Sequence, residues 1–293
     1  MRNPVTEAIV VSLAVLALSS SAIAQGQGQP RPRHEVQDGY IVEGVPKMPN
    51  PPGPAPKRDL TGAWVGPQTV SRDPMPPMTP AGEARFKQNH AYVQGGTREG
   101  DVKAFASNDP FITCDPLGFP RDLLNHAVSS RGGMLFQPGQ NRMFIMFEQQ
   151  RIWREVWMDG RELPKDVDAK GAPDSRYYGY SVGHWDGDNT FVIDSTGFDE
   201  RAWLDENGHP RSKNAHIEER YTRADQYNIQ LTATLNDPKF YTKPWVFLKA
   251  NYYWMKDQDF EETLCIPSEA IEYRDTLAKP SGIGAGAGAE ASK

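Results

Sequence analysis

The chain has 293 residues, a formal net charge of −6 and two cysteines, a length that suits one large β domain or two small ones. Mild acidity argues against nucleic acid as a partner, because a phosphate backbone asks for a basic face. Beyond the first residues no stretch approaches the roughly 18 apolar residues of a spanning helix, and two cysteines are too few for a Cys-rich zinc site.

The first 24 residues read as a secretory signal, with Arg2 in a short n-region, an apolar run over Ala8–Leu18 and a small-x-small site at Ala22-Ile23-Ala24. Cleavage after Ala24 makes the protein exported, periplasmic or secreted; an uncleaved anchor is the alternative. Residues 25–58 hold eight prolines among Gln and Gly and read as an extended, disordered tether. The folded domain is expected over residues 59–278, and the Gly/Ala/Ser tail over 279–293 as disordered.

Asp59-Leu60-Thr61-Gly62-Ala63-Trp64 opens the domain and starts its first strand. A Pro-rich loop over residues 71–80 ends in Thr79-Pro80, an N-cap followed by Pro at N1, so one short helix is expected over Ala81–Asn89. Asn108–Arg121 reads as an ordered loop holding Cys114. An even cysteine count in an exported chain suggests one disulfide, Cys114–Cys265. Closing so long a loop contributes on the order of 5 kcal/mol as an upper-end figure. Two free buried thiols are the other reading.

Strands follow. Gly133–Gln137 is short. Met143–Met158 is long, and a turn near Gln149-Gln150 divides it. Tyr177–Phe198 is a hairpin about Asp186-Gly187, which favours a two-residue type I′ turn. In its first arm, period 2 puts Tyr178, Tyr180, Val182 and His184 on one face. Ala215–Arg223 is next, then Asn228–Leu235, which alternates cleanly between apolar and polar. Trp245–Met255 and Phe260–Ile266 complete the set. Consecutive strands joined by tight turns predict an all-β domain, an antiparallel up-and-down barrel with one short helix and long ordered loops.

Several segments together resemble a family of exported bacterial proteins with a lipocalin-like, calycin-type β-barrel. They are Asp59–Trp64, Cys114–Arg121, Arg154–Arg161, Gly183–Phe198, Gly208–Pro210, Glu219–Tyr221 and Asp237–Trp245. The match covers roughly residues 59–267. It implies the barrel, with Trp64 plugging its bottom, and it assigns no activity and no catalytic residue.

Candidate chemistry lies with polar residues among apolar neighbours. Glu148, Arg154, Tyr180, His184 and Glu219 are expected to face one lumen, where aromatic walls and a few convergent polar groups make a small-molecule pocket. Arg154, Tyr178, Tyr180 and Trp153 are the ligand-binding candidates. Glu148, His184 and Glu219 are the acid/base candidates, since a buried Glu is raised unless Arg154 pairs with it. A Glu–Arg cross-strand pair is equally an ordinary structural ion pair. His184, His209 and His216 show no ligand spacing, and Asp186-Gly187-Asp188-Asn189 is hairpin chemistry, so no metal is assigned. Ser195 and Ser212 lack a nucleophile-elbow context. No phosphate loop or dinucleotide fingerprint occurs, so no cofactor is expected.

The leading expectation is a barrel that binds a small hydrophobic or amphipathic molecule. A cofactor-independent acid/base enzyme (isomerase, lyase or hydrolase) in the same pocket is the alternative. An envelope interaction module with a filled core is the third. The sequence leaves the oligomeric state open.

Overall fold

Nine strands follow one another around a closed barrel, each beside its sequence neighbours, with the first and last joined. They are β1 (Gly62–Ser71), β2 (Gly133–Pro138), β3 (Arg142–Phe147), β4 (Ile152–Trp157), β5 (Tyr180–Asp186), β6 (Thr190–Thr196), β7 (His216–Arg223), β8 (Asn228–Asn236) and β9 (Trp245–Trp254). This computed structural model describes residues 51–91, 107–128, 133–148, 150–255, 260 and 264–278. The expected signal segment, most of the tether and the tail beyond residue 278 lie outside them.

Strand direction reverses at every antiparallel step, so a closed ring of nine strands needs at least one parallel step. That step falls between β4 and β5; the other pairs, including β1 with β9, are antiparallel. The barrel is therefore mixed, not the uniformly antiparallel one expected. A parallel step cannot be made by a tight turn, because the chain must return to its starting end. Residues 158–179 make that return.

The strand faces follow period 2. On β7, Ile217, Glu219, Tyr221 and Arg223 are buried and alternate with half-buried residues. On β8, Ile229, Leu231, Ala233 and Leu235 are buried, as their alternation predicts. The inward side chains belong to one continuous cluster that includes the fully buried rings of Trp64, Phe136, Phe147, Tyr221 and Tyr252. Trp64 donates its indole N–H to the Leu60 carbonyl at 2.8 Å, and the Arg223 guanidinium lies 5.0 Å from its ring. Phe119 and Leu123, from the segment before β2, join the same core.

The helix expected after Thr79-Pro80 is α1 (Pro80–Phe86), and Thr79 Oγ1 accepts the Gly82 N–H as its cap. Two further short helices, α2 (Arg121–Val128) and α3 (Pro267–Tyr273), flank the barrel strands in sequence. The division of the long strand falls at residues 148–151, where Gln150 and Arg151 have positive φ.

Three local expectations are corrected. The strand expected over Phe260–Ile266 is not seen in its described residues: Phe260 and 264–266 are coil, Leu264 and Ile266 are exposed, and 261–263 lie outside the described residues. Pro267 starts α3 there, and Cys114–Cys265 ties the segment down, with Cα atoms 5.4 Å apart. The β5–β6 turn is a three-residue loop, since Asp186 pairs with Thr190. Only Gly187 in it has positive φ, whereas a type I′ turn needs two such residues. The tether's last residues dock on this loop: the Arg58 N–H donates to the Asp188 carbonyl at 2.6 Å, and Lys57 pairs with the Asp188 carboxylate at 2.9 Å.

Candidate functional site

Among the described residues, β4 and β5 share one register pair, Trp157 with Val182. A parallel ladder continued from it would set Glu155 against Tyr180 and Trp153 against Tyr178. Instead the two chains part, and a cleft of about 370 Å³ opens in the wall. Trp153, Glu155 and Trp157 line one side, residues 176–181 the other, with Pro116 and Arg154 completing it. Its volume lies in the ordinary range of small-molecule sites.

The rim is aromatic and cationic. Trp153 is 53% exposed. The Trp157 ring has the Arg142 guanidinium 3.8 Å from its centroid and that of Arg161 at 3.5 Å. Arg176 lies 4.2 Å over Tyr180. Such contacts hold flat rings and planar guanidinium groups in place without burying either. Glu155, also on the rim, is paired with Arg142 at 3.0 Å.

At the inner side Arg154 faces the core. It is 3% exposed and its partner Glu219 is 0% exposed. Arg154 donates from Nη2 to Glu219 Oε2, and Glu219 Oε1 accepts from the Tyr221 hydroxyl at 2.6 Å. The Phe119 ring lies 4.0 Å from the Arg154 guanidinium. Its Nε and Nη1 are buried without a hydrogen-bond partner among the described residues, as is the Tyr252 hydroxyl. Buried donors of this kind are uncommon and costly.

Tyr178 connects the cleft to α2. Its hydroxyl donates to Asp122 Oδ2, and Asp122 is fully buried, with Oδ1 unpartnered among the described residues. Burial pushes the Asp122 carboxyl up to about 7, against the lowering pull of Tyr178 and Arg121. The Tyr178 phenol is raised, chiefly by burial and then by the charge of Asp122.

The second wall is held by Arg211. This buried guanidinium donates to the carbonyls of Phe119 at 2.8 Å, Asp199 at 3.2 Å and Tyr177 at 3.4 Å. Its face lies 4.4 Å from Phe198. Burial pushes its pKa down to about 9. Three loops distant in sequence thus share one anchor, and the Phe119 N–H adds a bond to the Tyr177 carbonyl at 3.0 Å. Arg121 is fixed separately by a two-pronged pair with Asp109 at 2.6 and 2.8 Å.

Trp153, Arg154, Tyr178 and Tyr180 all line this one cleft. The shared lumen expected for Glu148, Arg154, Tyr180, His184 and Glu219 does not form. Arg154 and Glu219 point inward and meet. Tyr180 bonds outward to the Asp174 carbonyl at 2.7 Å, and His184 is exposed. The inward residues of β5 include Ser181, which meets Ser195 of β6 at 2.8 Å. Gly179, with φ of 65°, breaks the alternation, so Tyr178 is turned to Asp122 while Tyr180 is not. Glu148 sits in the β3–β4 turn and accepts the Gly133 N–H at 2.9 Å. The histidines are separate: His209 meets Asp205 at 2.6 Å, and His216 meets Asp194 at 2.8 Å.

Asp122, Phe119 and Arg211 escaped the sequence reading as site residues. Phe119 lies in the Cys114–Arg121 segment, which was the one signal for it. A second cleft of about 310 Å³ shares Tyr177 with the first and is lined by Asn89, Asn108, Arg201 and Trp203 among others. No protein-family model matches the chain, and no curated protein matches it.

Proposed function

We propose that this chain is an exported, lipocalin-like barrel that binds a small hydrophobic or amphipathic molecule, and that the molecule sits in the β4–β5 seam rather than in the lumen. The observation that carries this reading is the convergence of Trp153, Arg154, Tyr178 and Tyr180 on one cleft of about 370 Å³. Aromatic walls with a few polar groups are the ordinary make-up of such sites. Trp64 stacked beside Arg223 inside the closed barrel supports the lipocalin-like reading. The Cys114–Cys265 bond supports export. The described residues contain no helix long and apolar enough to cross a membrane.

The test is mass spectrometry of small molecules released from protein purified without denaturation. The reading expects one class of molecule at near-stoichiometric yield, with that yield cut severalfold by Trp153→Ala. A clean, ligand-free wild-type protein that also binds nothing from a lipid and metabolite extract would contradict it.

Enzymatic use of the same cleft is the second reading, and Asp122 is the observation that favours it. A carboxyl raised to about 7 and hydrogen-bonded to a cleft tyrosine is suited to general acid/base work near neutral pH. Turnover lost in both Asp122→Asn and Tyr178→Phe, with ligand still bound, would establish it; unchanged turnover in both would dismiss it.

A further inference from the structure

The cleft carries cationic donors that the fold itself leaves unused. Arg154 commits Nη2 to Glu219, while its Nε and Nη1 have no hydrogen-bond partner among the described residues. Arg176 on the opposite wall lies over Tyr180, and no carboxylate pairs with it among the described residues. The other guanidinium groups near the rim are already answered: Arg142 by Glu155, and Arg161 by Asp159. Among the described residues, the one carboxylate lining the cleft, Glu155, is the one held by Arg142.

Arg154 and Glu219 together are neutral, so an anion placed against Arg154 adds one negative charge to the interior. Arg176 supplies the balancing positive charge at the mouth. The site therefore has both the donors and the charge to take one oxyanion, and aromatic faces to take an apolar body beside it. Charge-assisted bonds from arginine are among the strongest a pocket offers.

We propose that the molecule bound in this cleft is an anionic amphiphile, a monocarboxylate or similar oxyanion on a flat or slender apolar body. Its charged group sits between Arg154 and Arg176. This rests on the reading of the cleft as a binding site, and its test separates the two.

Calorimetric titration of the full mature protein at pH 7.5 uses two matched pairs, 2-naphthoate with 2-naphthamide and dodecanoate with dodecanol. At least one anion should bind about tenfold or more tightly than its neutral mate. Arg176→Gln, at an exposed position, should remove most of that preference by weakening the anion far more than its neutral mate. Trp153→Ala should weaken both members of the pair. Equal binding of anion and neutral mate, weakened by Trp153→Ala, would keep the cleft as a binding site and overturn the anionic assignment. A preference that survives Arg176→Gln would overturn it as well. Failure of all four compounds to bind would overturn the anionic assignment, while the cleft as a binding site stands or falls on the co-purified molecule.

Discussion

Trp157 and Val182 are the one register pair between β4 and β5 among the described residues, and the cleft begins where that pairing stops. The cause is arithmetic. Nine strands in a ring require a parallel step, and the chain makes it with a long return rather than a hairpin. A ladder held at one point opens easily on one side. The return segment, residues 158–179, then supplies the second wall through Arg176, Tyr177 and Tyr178.

The Arg154–Glu219 pair should behave as a buried, mutually dependent unit. Glu219→Leu alone should cost about 3–5 kcal/mol, because it strands a buried guanidinium, while the double variant Arg154→Met/Glu219→Leu should recover most of that loss. Urea denaturation of the four members of the cycle measures the coupling. A double variant as unstable as the single one would show that the pair's packing, not its charge, matters.

Arg211 should be a structural anchor of the cleft wall. Arg211→Met leaves the buried Phe119 carbonyl without its donor and takes one bond each from the Asp199 and Tyr177 carbonyls, which keep the Ala202 and Phe119 N–H groups, at about 1–3 kcal/mol for a group left unsatisfied. The expected result is a melting temperature lower by about 5 °C or more, at roughly 2–4 °C per kcal/mol. A shift within 1 °C would mean that water replaces the guanidinium without loss.

Stability should fall as pH rises from about 4 to about 7 through Asp122. Its folded pKa, about 7, lies above the unfolded value, so the folded state binds more protons across that window and loses stability as they leave. Asp122→Asn should flatten this slope and make the variant more stable than wild type at pH 8. His216, raised chiefly by its hydrogen bond to Asp194, slopes in the same direction. The informative quantity is therefore the difference between variant and wild type at pH 5 and pH 8. A difference that does not change with pH would contradict the assignment.

Thiol labelling of unreduced, denatured protein should find no free cysteine, as the Cys114–Cys265 bond requires. Removing the bond by Cys114→Ser/Cys265→Ser should destabilise the fold by up to about 5 kcal/mol, the upper-end figure for so long a loop. Two labelled thiols per chain would contradict the bond.

Regular strands were legible in the sequence because period 2 is a local signal. Asn228–Leu235 states its faces residue by residue, and Ile217, Glu219 and Tyr221 do so on β7. The phase of β5 was not legible. Gly179 lies between Tyr178 and Tyr180 and takes positive φ, so one tyrosine turns inward and the other outward. The pairing of Arg154 with Glu219 was readable as a possibility, since both sit among apolar neighbours on strands. Asp122 was not, because its burial depends on Phe119 and Tyr178, which approach it from other parts of the chain. Likewise Leu264 and Ile266 alternate like a strand, yet Pro267 and the bond at Cys265 commit that segment to a different path. The parallel seam needs the count of strands, and an expected strand at Phe260–Ile266, whose described residues are coil, left that count uncertain.

The most direct test of the seam as the binding site is hydrogen–deuterium exchange. It compares protein carrying its co-purified molecule with the same protein stripped on a hydrophobic resin. Bound molecule should slow exchange in residues 153–157 and 176–181, the two walls of the cleft, with little change at Asn89, Asn108 and Trp203 in the neighbouring one. Protection confined to the second cleft, or spread over the inward faces of β7 to β9 with none in the seam, would contradict the account.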